Sequence, residues 1–181
     1  MIPLKIRIEG LIREMVGAAD VETPLRKPLV GFASAHDPLL YKLKTVVGPH
    51  HLLPTDLLPE ARTILAFFIP FDKSVVKASR QWAYVEPVWS SAYVETNQLI
   101  EEISGTLKQQ FAAHGIAAVE QKPTDNFNPH DLTAPWSHKS MAYVAGLGRF
   151  GLHKMLITPA GVAGRYCSMV ISAFVPPTPR P

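Results

Sequence analysis

Hydrophobic residues recur along the chain with a period that switches between helical and extended, and the switches outline alternating elements. Ile8, Leu11, Ile12 and Met15 have helical spacing and predict a helix over residues 3–20, although the alternation from Lys5 to Glu9 also fits a strand. After a loop marked by Thr23-Pro24 and Lys27-Pro28, residues 29–34 read as a short buried strand. Asp37 before Pro38 starts a helix, because Asp caps free amides and Pro suits the first turn; Gly48-Pro49 stops it after Val47. Residues 62–71 give the clearest strand, with neither face polar, as a strand covered on both sides requires. Asp72 ends it and caps a helix over 73–82, and a long helix over 91–114 carries Leu99, Ile103, Leu107 and Phe111 on one stripe. Strand 116–120, loop 121–136, helix 137–145, strand 155–158 and strand 165–175 follow. The last of these places Cys167, Met169, Ile171, Ala173 and Val175 on one face. This alternation predicts an α+β domain of the α/β layered type over residues 1–175, with 176–181 a proline-rich tail or linker.

The connection between the last two helical and extended segments is Gly146-Leu147-Gly148-Arg149-Phe150-Gly151, which spells G-x-G-x-x-G. A dinucleotide fingerprint should leave a strand, open a helix and be followed by an acid about 20 residues on. Here a helix precedes, a strand follows, and no Asp or Glu occurs after Asp131. Gly146 suits the position just past a helix end, while Gly148 and Gly151 allow close approach of backbone to a ligand or to another strand.

Net charge is only +3, too little to argue nucleic-acid binding from composition. Its distribution says more. Lys139, Arg149, Lys154, Arg165 and Arg180 follow Asp131 without an acid among them, so the first 131 residues are net acidic and the cations travel with the glycines. A bound anion and a solvated basic edge are both compatible with that. The single cysteine, Cys167, excludes an internal disulfide framework and a four-thiolate site. The longest apolar run is far short of a membrane span and the N-terminus does not read as a signal peptide, which points to a cytoplasmic protein.

Candidate chemistry concentrates before the glycines. Ser137 is a natural N-cap, which puts His138 and Lys139 in the first turn of a helix, where cations oppose the dipole unless an anion is bound or they bend into solvent. Asp131, in the preceding loop, is either a turn residue or a proton donor if burial raises its pKa. Adjacent His50 and His51 point apart and make no metal motif; Ser137 lies outside a G-x-S-x-G elbow; Cys167 reads as a buried hydrophobe.

The run Trp136-Ser137-His138-Lys139, then Ala145-Gly-Leu-Gly148, Gly151 and Leu156-Ile-Thr-Pro159 with Gly161, resembles the N-terminal domain of epoxyqueuosine reductase-like proteins. So do Gly31-Phe-Ala33, His36-Asp-Pro38, the stretch from Leu57 to Ile64, and Tyr93-Val-Glu-Thr-Asn97. The resemblance implies a degenerate nitroreductase-like fold, a central mixed sheet flanked by helices, that binds cobalamin. It implies reductive chemistry by a reduced corrinoid attacking an electrophilic carbon, with electrons from a ferredoxin-like domain holding two 4Fe–4S clusters, and a modified tRNA nucleoside as substrate. Asp131 would be the catalytic acid, and Ser137, His138, Lys139, Gly146, Gly148, Arg149 and Gly151 would contact the cofactor. Queuosine-forming members usually have Glu-Arg where this chain has His138-Lys139, and the cluster domain is absent from these 181 residues, so a partner or a missing domain would supply the electrons. The alternative is a non-catalytic carrier of a corrinoid or a flavin; tRNA would be a partner only through the basic tail.

Overall fold

The computed structural model describes residues 3–78, 87–121, 128, 130 and 133–181. Its order is α1 (Leu4–Gly17), β1 (Leu29–Ser34), α2 (Pro38–Val46), α3 (Pro54–Leu57), β2 (Thr63–Pro70), α4 (Lys73–Ala78), α5 (Pro87–Ala112), β3 (Ala118–Glu120), α6 (His138–Val144), β4 (Arg149–Phe150), β5 (Leu156–Ile157) and β6 (Gly164–Ile171). The Asp37 cap forms as expected, its side chain accepting from the Leu39 amide at 3.0 Å. Residues 79–82, the end of the helix expected over 73–82, lie outside the described residues. The short helix α3 and the strand β4 inside the glycine run were not expected, because each is too brief to show a period.

Four strands form one sheet in the order β1-β2-β6-β3, and β4 pairs with β5 as a separate hairpin. Every pairing is antiparallel. The expected mixed sheet is therefore corrected. β2 and β3 do run the same way, since both oppose β6, but β6 is inserted between them and removes the parallel neighbours that the mixed sheet implied by the resemblance would require. β2 is buried at every position and feeds two layers. Leu65, Phe67 and Ile69 join Cys167, Met169 and Ile171 against α1 and α5. Ile64, Ala66 and Phe68 face the other way, against Leu40 of α2, Trp136, and Met141 and Val144 of α6. The period of two in β2 thus builds both cores.

The last strand is shorter than expected. Its ladder ends at Ile171, after which the Ser172 amide donates to the Ala117 carbonyl at 2.9 Å and the Val175 amide to Thr63 Oγ1 at 2.9 Å. Ala173 and Val175 still join the same core face as Cys167. Residues 176–181 then run back over the body. The Thr178 amide donates to the Phe32 carbonyl at 2.8 Å, and the Phe32 amide donates to Thr178 Oγ1 at 3.0 Å. Arg180 pairs with Asp37.

Candidate functional site

Helix α6 is placed by a polar anchor below it. Ser137, extended at φ −117° and ψ 104°, accepts from the Ser140 amide at 3.2 Å and so caps the helix. Trp136 is driven inward, 2% exposed, and its indole N–H donates to Ser168 Oγ of β6 at 2.9 Å. His138 follows it: the ring is 9% exposed and Nδ1 lies 2.8 Å from the same hydroxyl. Neither side chain of the Trp-Ser-His-Lys tract that could reach the core is left in solvent. Lys139 instead turns along the surface, donating to the Lys154 carbonyl at 2.9 Å with its ammonium 6.0 Å from the Phe150 ring centroid. The cationic charge is thereby carried away from the helix dipole and onto the hairpin.

Above this anchor opens a cleft of about 330 Å³, lined by Trp136, His138, Lys139, Met155, Arg165 and Tyr166 among others. The last two are site residues that periodicity alone did not single out. Arg165 Nε donates to Asn97 Oδ1 at 2.8 Å, and its guanidinium lies 4.1 Å from the Tyr93 ring centroid. Tyr93 and Asn97 are one turn apart on α5, so a single helix face grips the arginine from both sides. Burial lowers the Arg165 pKa, but a guanidinium starts high enough to stay charged. Tyr166 stacks on Phe68 at 4.3 Å and donates its hydroxyl proton to the Leu156 carbonyl at 3.1 Å. Burial raises its pKa and keeps it a neutral phenol. Asp131 lies outside the described residues, three positions before Ala134, which lines the cleft.

The remaining expected residues gather at the other end of α6, about 10 Å along the helix axis. Gly146 is the residue past the helix end, at φ +80°, its amide bonded to the Tyr143 carbonyl at 3.0 Å. A Cβ there would meet the Pro179 carbonyl at 2.7 Å. At Gly148 a Cβ would run into the Ile157 carbonyl, and at Gly151 into the His153 and Ile157 side chains. The glycine spacing is thus accounted for by the chain packing on itself: the tail crosses one glycine and β5 the next. Arg149 Nε donates to the Pro181 carbonyl at 2.9 Å. On either side of Arg180 and Pro181 lie grooves of about 670 and 650 Å³, both also lined by Gly148, Arg149 and Phe150. The hairpin joins the two ends, since Phe150 borders the grooves and meets Lys139 of the cleft.

His51 is the buried titratable group that sequence reasoning left aside. It is 0% exposed, its Nδ1 donates to the Leu52 carbonyl at 2.8 Å, and its ring lies 6.2 Å from Trp136. Nε2 is buried without a hydrogen-bond partner among the described residues. Burial lowers the His51 pKa from 6.5. The unfolded chain therefore binds a proton that the folded chain resists, and stability is full above about pH 6.5 and falls as the pH drops below it, by up to about 1.4 kcal/mol per pH unit. Urea midpoints at pH 7.5 and pH 5.5 should show this loss in the wild type and a flatter response in His51→Gln.

Among the described residues no group of three His, Cys, Asp or Glu could hold a metal ion, and no helix is long and apolar enough to cross a membrane. The Cys167 thiol is fully buried and donates to Glu120 Oε1 at 3.2 Å; burial and that carboxylate push its pKa well up.

The architecture is that of a layered α+β domain with one antiparallel sheet between helices. Among solved structures it is similar to epoxyqueuosine reductases. One, in complex with an epoxyqueuosine-modified tRNA-Tyr stem loop, superposes with a TM-score of 0.59 at 18% identity, over 97% of this chain and 47% of that one. Another, from Streptococcus thermophilus, gives 0.61 at 13% identity, over 98% and 48%. A third, from Bacillus subtilis and with its catalytic aspartate loop swung out of the active site, gives 0.57 at 18% identity, over 94% and 46%. The chain thus spans about half the length of the proteins it matches. No protein-family model matches the sequence, and no curated protein matches it either.

Proposed function

We propose that this chain is a cobalamin-binding redox domain of the epoxyqueuosine reductase type, a degenerate nitroreductase-like domain over residues 1–175 that receives electrons from an iron–sulfur domain or partner. The observation that carries the reading is the superposition of nearly the whole chain on one half of those reductases. A corrinoid brings its own metal, so the protein needs an apolar surface with charged or donor groups at its rim rather than a ligand cluster. The hairpin has that character: Phe150, Leu152, Met155 and Ile157 are exposed, with Lys139, Arg149 and Lys154 around them. The residues present therefore fit the group.

When bound, the cobalamin supplies the reduced, nucleophilic centre that the chain's own side chains do not offer. In this reading Lys139 and Arg149 meet anionic or amide groups of the cofactor. Ser137 holds the helix that carries His138, and Gly146, Gly148 and Gly151 let the turn pack closely enough to present Arg149. Arg165 and Tyr166 contribute a fixed cation and a neutral hydroxyl to the cleft. Asp131 is the proton donor to a leaving oxygen, by analogy with the catalytic aspartate loop of the Bacillus subtilis enzyme. A modified tRNA stem loop is the ligand of one similar structure, and the cations after residue 131 are the surface here that would meet its phosphates. A carrier role is the second reading, favoured by the single cysteine being sealed in the core.

The test is retention of colour. Protein mixed with hydroxocobalamin should carry the red absorbance through gel filtration, and Phe150→Asp should weaken binding by about tenfold by setting a carboxylate on the apolar surface. A colourless protein peak refutes both the enzyme and the corrinoid-carrier readings. Turnover of an epoxide-bearing nucleoside with a strong reductant then separates those two.

A further inference from the structure

We infer that Ser168 is a positioning residue that holds His138 as the neutral imidazole protonated on Nε2. Ser168 sits in the middle of β6, opposite Ala66 of β2, and is 0% exposed. Its hydroxyl oxygen has two partners among the described residues, Trp136 Nε1 at 2.9 Å and His138 Nδ1 at 2.8 Å. An indole nitrogen can only donate, so the first bond occupies a lone pair of the oxygen. The hydroxyl proton then needs an acceptor within the fold, because the residue is fully buried. The remaining neighbour is His138 Nδ1, which accepts only when it carries no proton. The chain of donation therefore runs Trp136 N–H to Ser168 O–H to His138 Nδ1, and the imidazole proton belongs on Nε2. The opposite tautomer, or the imidazolium, would fill both lone pairs of the oxygen with donors and leave a buried hydroxyl proton without an acceptor, which is costly.

This locks the chemical character of the imidazole that His138 brings to the cleft. His138 offers an N–H at Nε2 rather than a lone pair, so it acts as a hydrogen-bond donor and neither as a metal ligand nor as a base. It also gives Trp136 a role beyond packing: the indole sets the direction of the relay. The proposal deepens the corrinoid reading by denying His138 a place in cobalt ligation, but the tautomer itself is independent of any ligand.

Two-bond proton–nitrogen correlation spectra of nitrogen-15-labelled, ligand-free protein read the tautomer directly, with the His138 signals assigned by their loss in His138→Gln. The Nε2-protonated form should exceed the Nδ1-protonated form by about tenfold or more in the wild type. Ser168→Ala should lose that bias, and Ser168→Thr, which keeps the hydroxyl, should retain it. A proton on Nδ1 in the wild type overturns the proposal, as does an unchanged Nε2 bias in Ser168→Ala. Because no corrinoid is present, a protein that shows the expected tautomer yet stays colourless with hydroxocobalamin refutes the function reading and not this one. With hydroxocobalamin bound, His138→Gln should leave the visible spectrum unchanged; a changed cobalt spectrum would mean ligation and would overturn the donor role.

Discussion

Gly148→Ala should destabilise the fold by about 3 kcal/mol, or abolish soluble expression, although it adds one methyl group at a chain position whose φ is not positive. The reason is what the methyl would meet. The Ile157 carbonyl already occupies the place of its Cβ, with the Ile157 carbonyl carbon at 2.8 Å and the Thr158 Cα at 3.1 Å. These are backbone atoms of the β4–β5 hairpin, so no rotamer change relieves the overlap and the two chains must separate. Separation would also disturb Arg149 and Phe150, which pair with Ile157 and Leu156 in that hairpin. Gly105→Ala supplies the control. It lies inside α5, where a Cβ meets nothing within 4 Å, and should stabilise by about 0.5–1 kcal/mol. Urea midpoints that move in opposite directions for the two variants support the packing account. A neutral Gly148→Ala would mean that the hairpin does not lie against the turn.

Trp136→Ala is expected to cost about 3–5 kcal/mol. The ring is among the largest fully buried side chains and fills the space between His51, the strand β6 and helix α6. Its removal leaves a cavity, strips Ser168 of a donor, and uncovers the ring face of His51. Trp136→Phe separates these effects. It keeps most of the volume and loses the indole hydrogen bond, so a loss of about 1–2 kcal/mol is expected. Chemical denaturation of the two variants at pH 7.5 checks the ratio. Equal losses would show that the hydrogen bond, not the filled volume, is what holds α6 to the sheet.

Much of the framework was legible because local rules agreed. The Asp37-Pro38 start of α2, the doubly buried β2 and the Leu99-to-Phe111 stripe of α5 each rest on neighbours within one element, and each appears where the pattern put it. The strand direction was not legible. Alternation of helices and strands is common to parallel and antiparallel arrangements, and the insertion of β6 between β2 and β3 joins residues about 50 positions apart on one side and about 100 on the other. For the site, the tract from Trp136 to Lys139 drew attention through its residue types, and the structure brings all four residues to one cleft, with Ser137 also capping the helix. Arg165 and Tyr166 were seen only as a tail cation and a strand residue. Their partners, Asn97 and Leu156, come from different elements, and no spacing rule links them.

By itself, the sequence determined the longer elements, their buried faces, the cap at Ser137 and the failure of the glycine run as a dinucleotide site. Those follow from torsional preference and from the apolar period, which act over a few residues. Only the tertiary structure decided that the glycines pack against β5 and the tail, that His138 turns inward to Ser168, and that Arg165 reaches the cleft from below. Each of these is set by which surfaces meet once both faces of β2 are covered, and burial then assigns partners, and protons, that no local pattern contains.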